Sequence, residues 1–232
     1  MEMATRLGIT SALREHLSLA LGTSEVTPLE LSAAYAPFAN GGFRVLPQIV
    51  TLVTDAQGVT LEFFSNEREM ALDSNHAAIM TSLMESVVQE GTARRLASMG
   101  FLRPAAGKTG TADEGRDAWF VGYTPELLAG VWVGDDEHKA INVSGAKDAM
   151  PLWAAFMSQA LQDYPASEFT QPEGLVGIDL DPASGLLATP FCPEKKREIF
   201  VSGSEPKEPC PLHQPPQPKG FFEQLKRWWN RP

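Results

Sequence analysis

Ala106-Gly107-Lys108-Thr109-Gly110-Thr111, Ala118-Trp119-Phe120-Val121-Gly122-Tyr123 and Leu127-Leu128-Ala129-Gly130-Val131-Trp132-Val133 decide the fold. Each run is short, apolar and rich in residues that suit a pleated surface. Thr124-Pro125-Glu126 turns the second run into the third. Connections this short join antiparallel neighbours, because parallel strands need a long crossover. The runs are apolar almost throughout, so both faces of the sheet should be covered, and helices are the elements available to cover them.

Working outward, the flanks supply those helices. Thr27-Pro28-Leu29-Glu30 is a start signal: Thr27 can cap, Pro28 suits the first helical position, and Glu30 completes a capping box. That helix should stop at Asn40-Gly41-Gly42. Ile49–Val53 and Val59–Phe63 flank Asp55-Ala56-Gln57-Gly58, a hairpin pattern. Asp73 or Ser74 opens a helix with Ala77, Met80, Leu83 or Met84, and Val87 on one side. A shorter helix covers Ala93 to Ser98. After the strands, Asp148 can cap a helix with Leu152, Ala155, Phe156, Gln159 and Ala160 along one side. The fold class expected is mixed α/β (α+β), an antiparallel sheet flanked by helices.

The whole chain has 232 residues, 43% of them apolar, enough to bury a sizeable core. Its net charge is 19 − 29 = −10, which argues against a general nucleic-acid binder. It has no apolar run long enough for a membrane span. Met1 to Arg6 lacks the basic-then-apolar pattern of a signal peptide, so none is expected in this chain. Four segments are expected: 1–165, a main domain; 166–203, a small extension with a hairpin around Asp181–Gly185; 204–218, a linker holding six prolines; and 219–232, a tail. Cys192 and Cys210 are the only cysteines. No CxxC or Cys/His cluster accompanies them, since only His213 is close. A disulfide between them is open, conditional on an oxidising compartment. A zinc site ranks below it, and no metal is expected.

Lys108-Thr109-Gly110-Thr111 carries the sharpest chemistry. On a strand edging a cleft, Lys108 supplies a positive charge, and Thr109 and Thr111 fall on one face by the two-residue period. Gly110 lets a bound backbone approach closely. Such a strand can hold a carboxylate and polarise a nucleophile's surroundings. Lys-Thr-Gly accompanies Ser-x-x-Lys in β-lactamases and penicillin-binding proteins. The wider context is more specific. Gly107–Thr111, Arg116–Pro125 and Ala129–Gly134, with Ser18–Leu31, Tyr35–Gly42 and Gly91-Thr92-Ala93 upstream, resemble the transpeptidase domain of class A penicillin-binding proteins. The likeness covers roughly residues 1 to 165, and Gly203–Pro206 with Cys210 is a looser match.

The resemblance implies a β-lactamase/transpeptidase-like fold and acyl transfer through a serine, crosslinking peptidoglycan stem peptides. β-Lactams acylate the same serine. Lys108 would assist the polar network around it, and Thr109 and Thr111 would bind a carboxylate of the stem peptide or of a penicillin. It implies the periplasmic face of the inner membrane, as part of an anchored protein, and no cofactor. This sequence departs from the family pattern in one respect. No Ser-x-x-Lys precedes Lys108, and there is no Ser-x-Asn. Ser144–Lys147 and Ser204–Lys207 are the only Ser-x-x-Lys strings; both follow the motif, and neither sits in a strong helix. The chain is therefore expected to be the C-terminal part of the domain, beginning after the missing motifs. Its fold would be incomplete, one sheet edge unpaired, and it would be inactive alone. The alternative is a non-catalytic peptide- or protein-binding module derived from the same domain.

Weaker constellations follow. Asp135-Asp136-Glu137-His138 offers hard ligands but reads as a solvated strand-end loop. Glu114, Arg116 and Asp117 either rim the cleft or are ordinary surface loop residues. His16, His76 and His213 have no recognisable partners. Trp119 and Trp132 read as core packing. Phe221, Phe222, Leu225, Trp228 and Trp229 form one helical stripe beside Lys219, Lys226, Arg227 and Arg231, which suits weak contact with an anionic membrane surface.

Overall fold

Helix α2, residues Pro28–Ala39, begins as the local signals require. The Thr27 side chain accepts from the Glu30 amide, the Glu30 side chain accepts from the Thr27 amide, and Pro28 occupies the first turn. The same carboxylate gathers the chain ahead of it. Ser11 donates its hydroxyl to Oε2 at 2.6 Å and its amide to Oε1 at 2.6 Å, and the Thr10 amide and hydroxyl donate as well. The Ser11 hydroxyl is the main cause of a lowered carboxyl pKa; partial burial opposes it and the other donors add to it, leaving the group at about 2 against an ordinary 4.5. A folded-state value below the unfolded one means stabilisation fully present above pH 4.5 and lost as pH falls toward 2. Glu30→Ala should lower stability by about 1 kcal/mol at neutral pH. Urea denaturation should show this difference shrinking in acid; a gap that stays constant with pH would mean the carboxylate's charge plays no part.

In this computed structural model residues 1–65, 68–215 and 229 are described, and the chain divides into two units, Met1–Glu173 and Gly174–Pro232. The first unit opens with α1 (Glu2–Leu7), which precedes α2. A two-residue strand β1 (Phe43–Arg44) pairs with β4 (Glu69–Met70), and between them β2 (Leu52–Thr54) and β3 (Thr60–Phe63) form the expected hairpin. Asp73 caps α3 (Ser74–Gln89). Its buried residues are Ala77, Thr81 and Met84, whereas Met80 and Leu83 are exposed, so the covered face is rotated from the one the apolar spacing suggested. A 3-10 turn, Arg94–Met99, takes the place of the short helix.

The meander follows: β5 (Ala106–Thr111), β6 (Asp117–Tyr123) and β7 (Leu128–Gly134), antiparallel in that order. Both faces are covered. On one, Tyr123, Ala106 and Met84 form a cluster with Tyr35, Phe38 and Phe169, so the first unit runs past residue 165. The Tyr123 hydroxyl lies 2.8 Å from that of Thr81, which donates to the Phe38 carbonyl, tying α2, α3 and β6 together. Burial pushes the Tyr123 phenol well above its ordinary value. On the other face sits α4 (Met150–Ala160).

Two expectations about α4 are corrected. Asp148 does not cap it; a π-helical turn, Gly145–Ala149, runs straight into it, and Asp148 instead accepts the Ser144 amide at 2.7 Å. The buried side chains are Met150, Trp153, Ala154 and Met157, while Leu152 and Phe156 are each 55% exposed. Trp119 and Trp132 also differ from expectation: their rings lie tilted at 46° with centroids 6.2 Å apart and remain partly exposed. The second unit is a hairpin, β8 (Leu175–Leu180) with β9 (Lys196–Val201). Among the described residues no helix is long and apolar enough to cross a membrane.

Candidate functional site

β5 carries the Lys-Thr-Gly motif at the border of its sheet. Among the described residues its ladder partner is β6 alone, so its other edge is unpaired. Lys108 and Gly110 stand opposite Val121 and Trp119, and Thr109 and Thr111 stand opposite Phe120 and Ala118. Cross-strand partners share a face, so the lysine and the two threonines occupy opposite faces. Lys108 is exposed, and its Nζ donates to the Thr109 carbonyl at 2.8 Å.

Two loops close on the threonine face. After α3, Thr92 brings its hydroxyl to 2.8 Å from that of Thr109. Before α4, the Gly145 amide donates to the Thr111 hydroxyl at 3.0 Å. The close approach at Gly110 is made by a neighbour within the sheet: a Cβ added there would lie 3.1 Å from the Trp119 Cβ. The motif thus forms an open strand edge with one exposed cation and two hydroxyls held by flanking loops.

Other singled-out residues take structural places. Arg116 pairs with Glu114, and Asp117 accepts the Trp132 indole N–H at 2.8 Å. Asp135–His138 lies in an exposed turn, where the Asp135 carboxylate accepts the Glu137 and Lys139 amides. Ser144 opens the π-helical turn. Ser204 donates its hydroxyl to the Val201 carbonyl at 2.8 Å. The aromatic stripe at Phe221, Phe222, Leu225 and Trp228 lies outside the described residues.

In the second unit Cys192 and Cys210 are both buried and carry free thiols in this structure. His213 has partners after all: its Nδ1 lies 2.7 Å from Asp181 Oδ2 and 3.5 Å from Cys210 Sγ. Asp181, Cys192, Cys210 and His213 bring their donor atoms within 4.8 Å of one another. The one local signal was Cys210-x-x-His213; the other two members arrive from the β8–β9 connection, out of reach of any spacing rule.

Similarity to known proteins follows the same division. Residues 8–157 match the penicillin binding protein transpeptidase domain family, and residues 171–215 match the family of the penicillin-binding protein 1A C-terminal domain. Penicillin-binding protein 1A of Aquifex aeolicus is 38% identical over 212 residues, covering 90% of this chain and 29% of that protein. Penicillin-binding protein 2D of Bacillus subtilis is 36% identical, covering 98% of this chain and 35% of that protein. The chain therefore spans about a third of the length of these curated relatives. Penicillin-binding protein 1A from Haemophilus influenzae superposes with a TM-score of 0.81 at 27% identity, over 89% of this chain and 36% of that one. PonA1 from Mycobacterium tuberculosis, solved in complex with penicillin V, gives 0.64 at 27% identity, over 74% of this chain and 51% of that one. The family match spans well over half of the sequence and includes the whole β5–β7 sheet and most of its helical cover, and on that ground the chain belongs to the penicillin binding protein transpeptidase family.

Proposed function

We propose that this chain supplies the substrate-binding wall of a peptidoglycan D,D-transpeptidase, and that the serine nucleophile is contributed by sequence outside these 232 residues. The observation that carries the proposal is the unpaired β5 edge, with exposed Lys108 beside the loop-held hydroxyls of Thr109 and Thr111. An extended peptide can lie along such an edge and pair with its backbone. Its terminal carboxylate would meet the hydroxyls of Thr109 and Thr111, while Lys108, on the opposite face, would assist the polar network around the serine. In the complete site a serine would attack the D-Ala-D-Ala carbonyl, release the terminal D-Ala, and pass the acyl group to the amine of a second stem peptide. A β-lactam would be opened by the same serine and remain attached to it. Such chemistry belongs on the periplasmic side of the membrane, where the stem peptides are.

Neither Ser-x-x-Lys string in this chain replaces the missing serine. Ser204 spends its hydroxyl proton on Val201, and Ser144 stands at the head of the turn whose next residue, Gly145, holds Thr111. Intact-mass measurement after incubation with a penicillin tests the division of labour. The 232-residue chain should show no acyl adduct; a stoichiometric adduct would overturn the proposal. In a longer chain that includes a Ser-x-x-Lys segment, an adduct should form. There Lys108→Ala should slow acylation by roughly 10²–10⁴-fold, the usual scale for loss of a proton-handling group.

A further inference from the structure

We propose that Asp181, Cys192, Cys210 and His213 form a tetrahedral zinc site that holds the C-terminal unit together. Their donor atoms all lie within 4.8 Å of one another. Bond lengths of about 2.3 Å for Zn–S and about 2.0–2.1 Å for Zn–N imply ligand-to-ligand edges of roughly 3.3–3.8 Å in a tetrahedron. The Cys210 Sγ to His213 Nδ1 distance of 3.5 Å is already such an edge. The Asp181 Oδ2 and His213 Nδ1 atoms, 2.7 Å apart, would open to admit the ion, and the wider pairs, all within 4.8 Å, would close on it. The donor set names the metal class, because two thiolates and an imidazole favour zinc over magnesium or calcium. Cys210 and His213 are three positions apart on one turn, a short chelating pair; Asp181 and Cys192 come from the β8–β9 connection.

The surroundings orient these groups as an outer shell does. Ser184 donates its amide to Asp181 Oδ1 at 2.8 Å, which leaves Oδ2 facing the cluster. The Thr189 amide donates to Cys192 Sγ at 3.1 Å. The Thr189 hydroxyl donates to the His213 carbonyl at 2.9 Å, and the Cys210 amide donates to the Leu187 carbonyl at 2.8 Å, so all three ligand-bearing segments are knitted together.

A second observation points the same way. Among the described residues of this unit, the buried ones are Leu180, Asp181, Cys192 and Cys210. Three of the four are metal-ligating types, and only one is an ordinary core residue. A unit this small with so little apolar core needs a staple. A disulfide would use only two of the four converging groups and leave the Asp181 carboxylate, 1% exposed, buried beside it.

The test uses the 232-residue chain, made in zinc-supplemented medium and purified with reductant and without chelator. Elemental analysis should find about one zinc per chain, with both thiols shielded from thiol reagents until a chelator is added. Replacement by cobalt(II) should give thiolate-to-metal charge-transfer bands and the visible bands of a tetrahedral ion. Cys192→Ser and Cys210→Ser should each cut the zinc content about tenfold or more. If those variants do not fold, the cobalt spectrum of the unmodified chain carries the result instead. A folded, fully reduced chain that takes up neither zinc nor cobalt would overturn the proposal. So would an isolated mass showing Cys192 joined to Cys210.

Discussion

Trp153→Ala should unfold the chain at markedly lower urea, with a loss of about 3–5 kcal/mol. The ring is fully buried between Phe101 and Phe120, with centroids 5.1 and 5.0 Å away. Its indole N–H is shared between two carbonyls, Gly122 at 3.2 Å and Ala129 at 3.0 Å, one on β6 and one on β7. The side chain therefore fills the space between α4 and the sheet and satisfies sheet carbonyls inside it. Alanine would leave a cavity and remove the bond that ties the indole to β6 and β7. Trp153→Phe separates the contributions: it keeps much of the packing and loses only the hydrogen bond, for about 1–3 kcal/mol. Equilibrium denaturation of both variants measures the two parts. A loss below about 1 kcal/mol for alanine would mean α4 is held by something other than this ring.

Gly145→Ala should destabilise the first unit by about 1–3 kcal/mol or more, despite adding a single methyl group. The new Cβ would fall 2.5 Å from the Gly110 carbonyl oxygen and 2.5 Å from that of Trp119. Those are backbone atoms of paired strands and cannot move aside without breaking the ladder. The π-helical turn would have to lift away, taking with it the amide that holds Thr111. Hydrogen exchange should therefore report faster opening along β5 as well as a lower midpoint. Unchanged protection of β5 would show that the turn does not brace the strand.

How much of this was legible beforehand depends on the range over which each signal acts. Thr27, Pro28 and Glu30 set α2 through contacts within one turn, and the three strands announce themselves by short connections. The Lys-Thr-Gly motif likewise reads from the chain alone. α4 was harder because Leu152, Trp153, Ala154, Ala155, Phe156 and Met157 are apolar on every side, so periodicity does not choose the buried face. Its true start was hidden because Ser144, not Asp148, begins the helical path. The Asp181–Cys192–Cys210–His213 cluster joins residues 11, 18 and 3 positions apart, and only the hairpin's geometry makes them neighbours. Trp119 and Trp132 read as core because their neighbours in sequence are core, yet they sit toward the far end of the sheet from Tyr123.

The meander has a consequence for the order of assembly. Among the described residues β5, β6 and β7 pair only with their chain neighbours, so each pairing closes a loop of a few residues at small entropic cost. The contacts of α2 with β6 and β7 span most of a hundred residues and come with a greater cost. During synthesis from the N-terminus, α2 leaves the ribosome long before the strands that cover it exist. On that order of synthesis α2 waits for residues 106–134, and any delay in making them lengthens the interval in which the face it turns to β6 and β7 is uncovered.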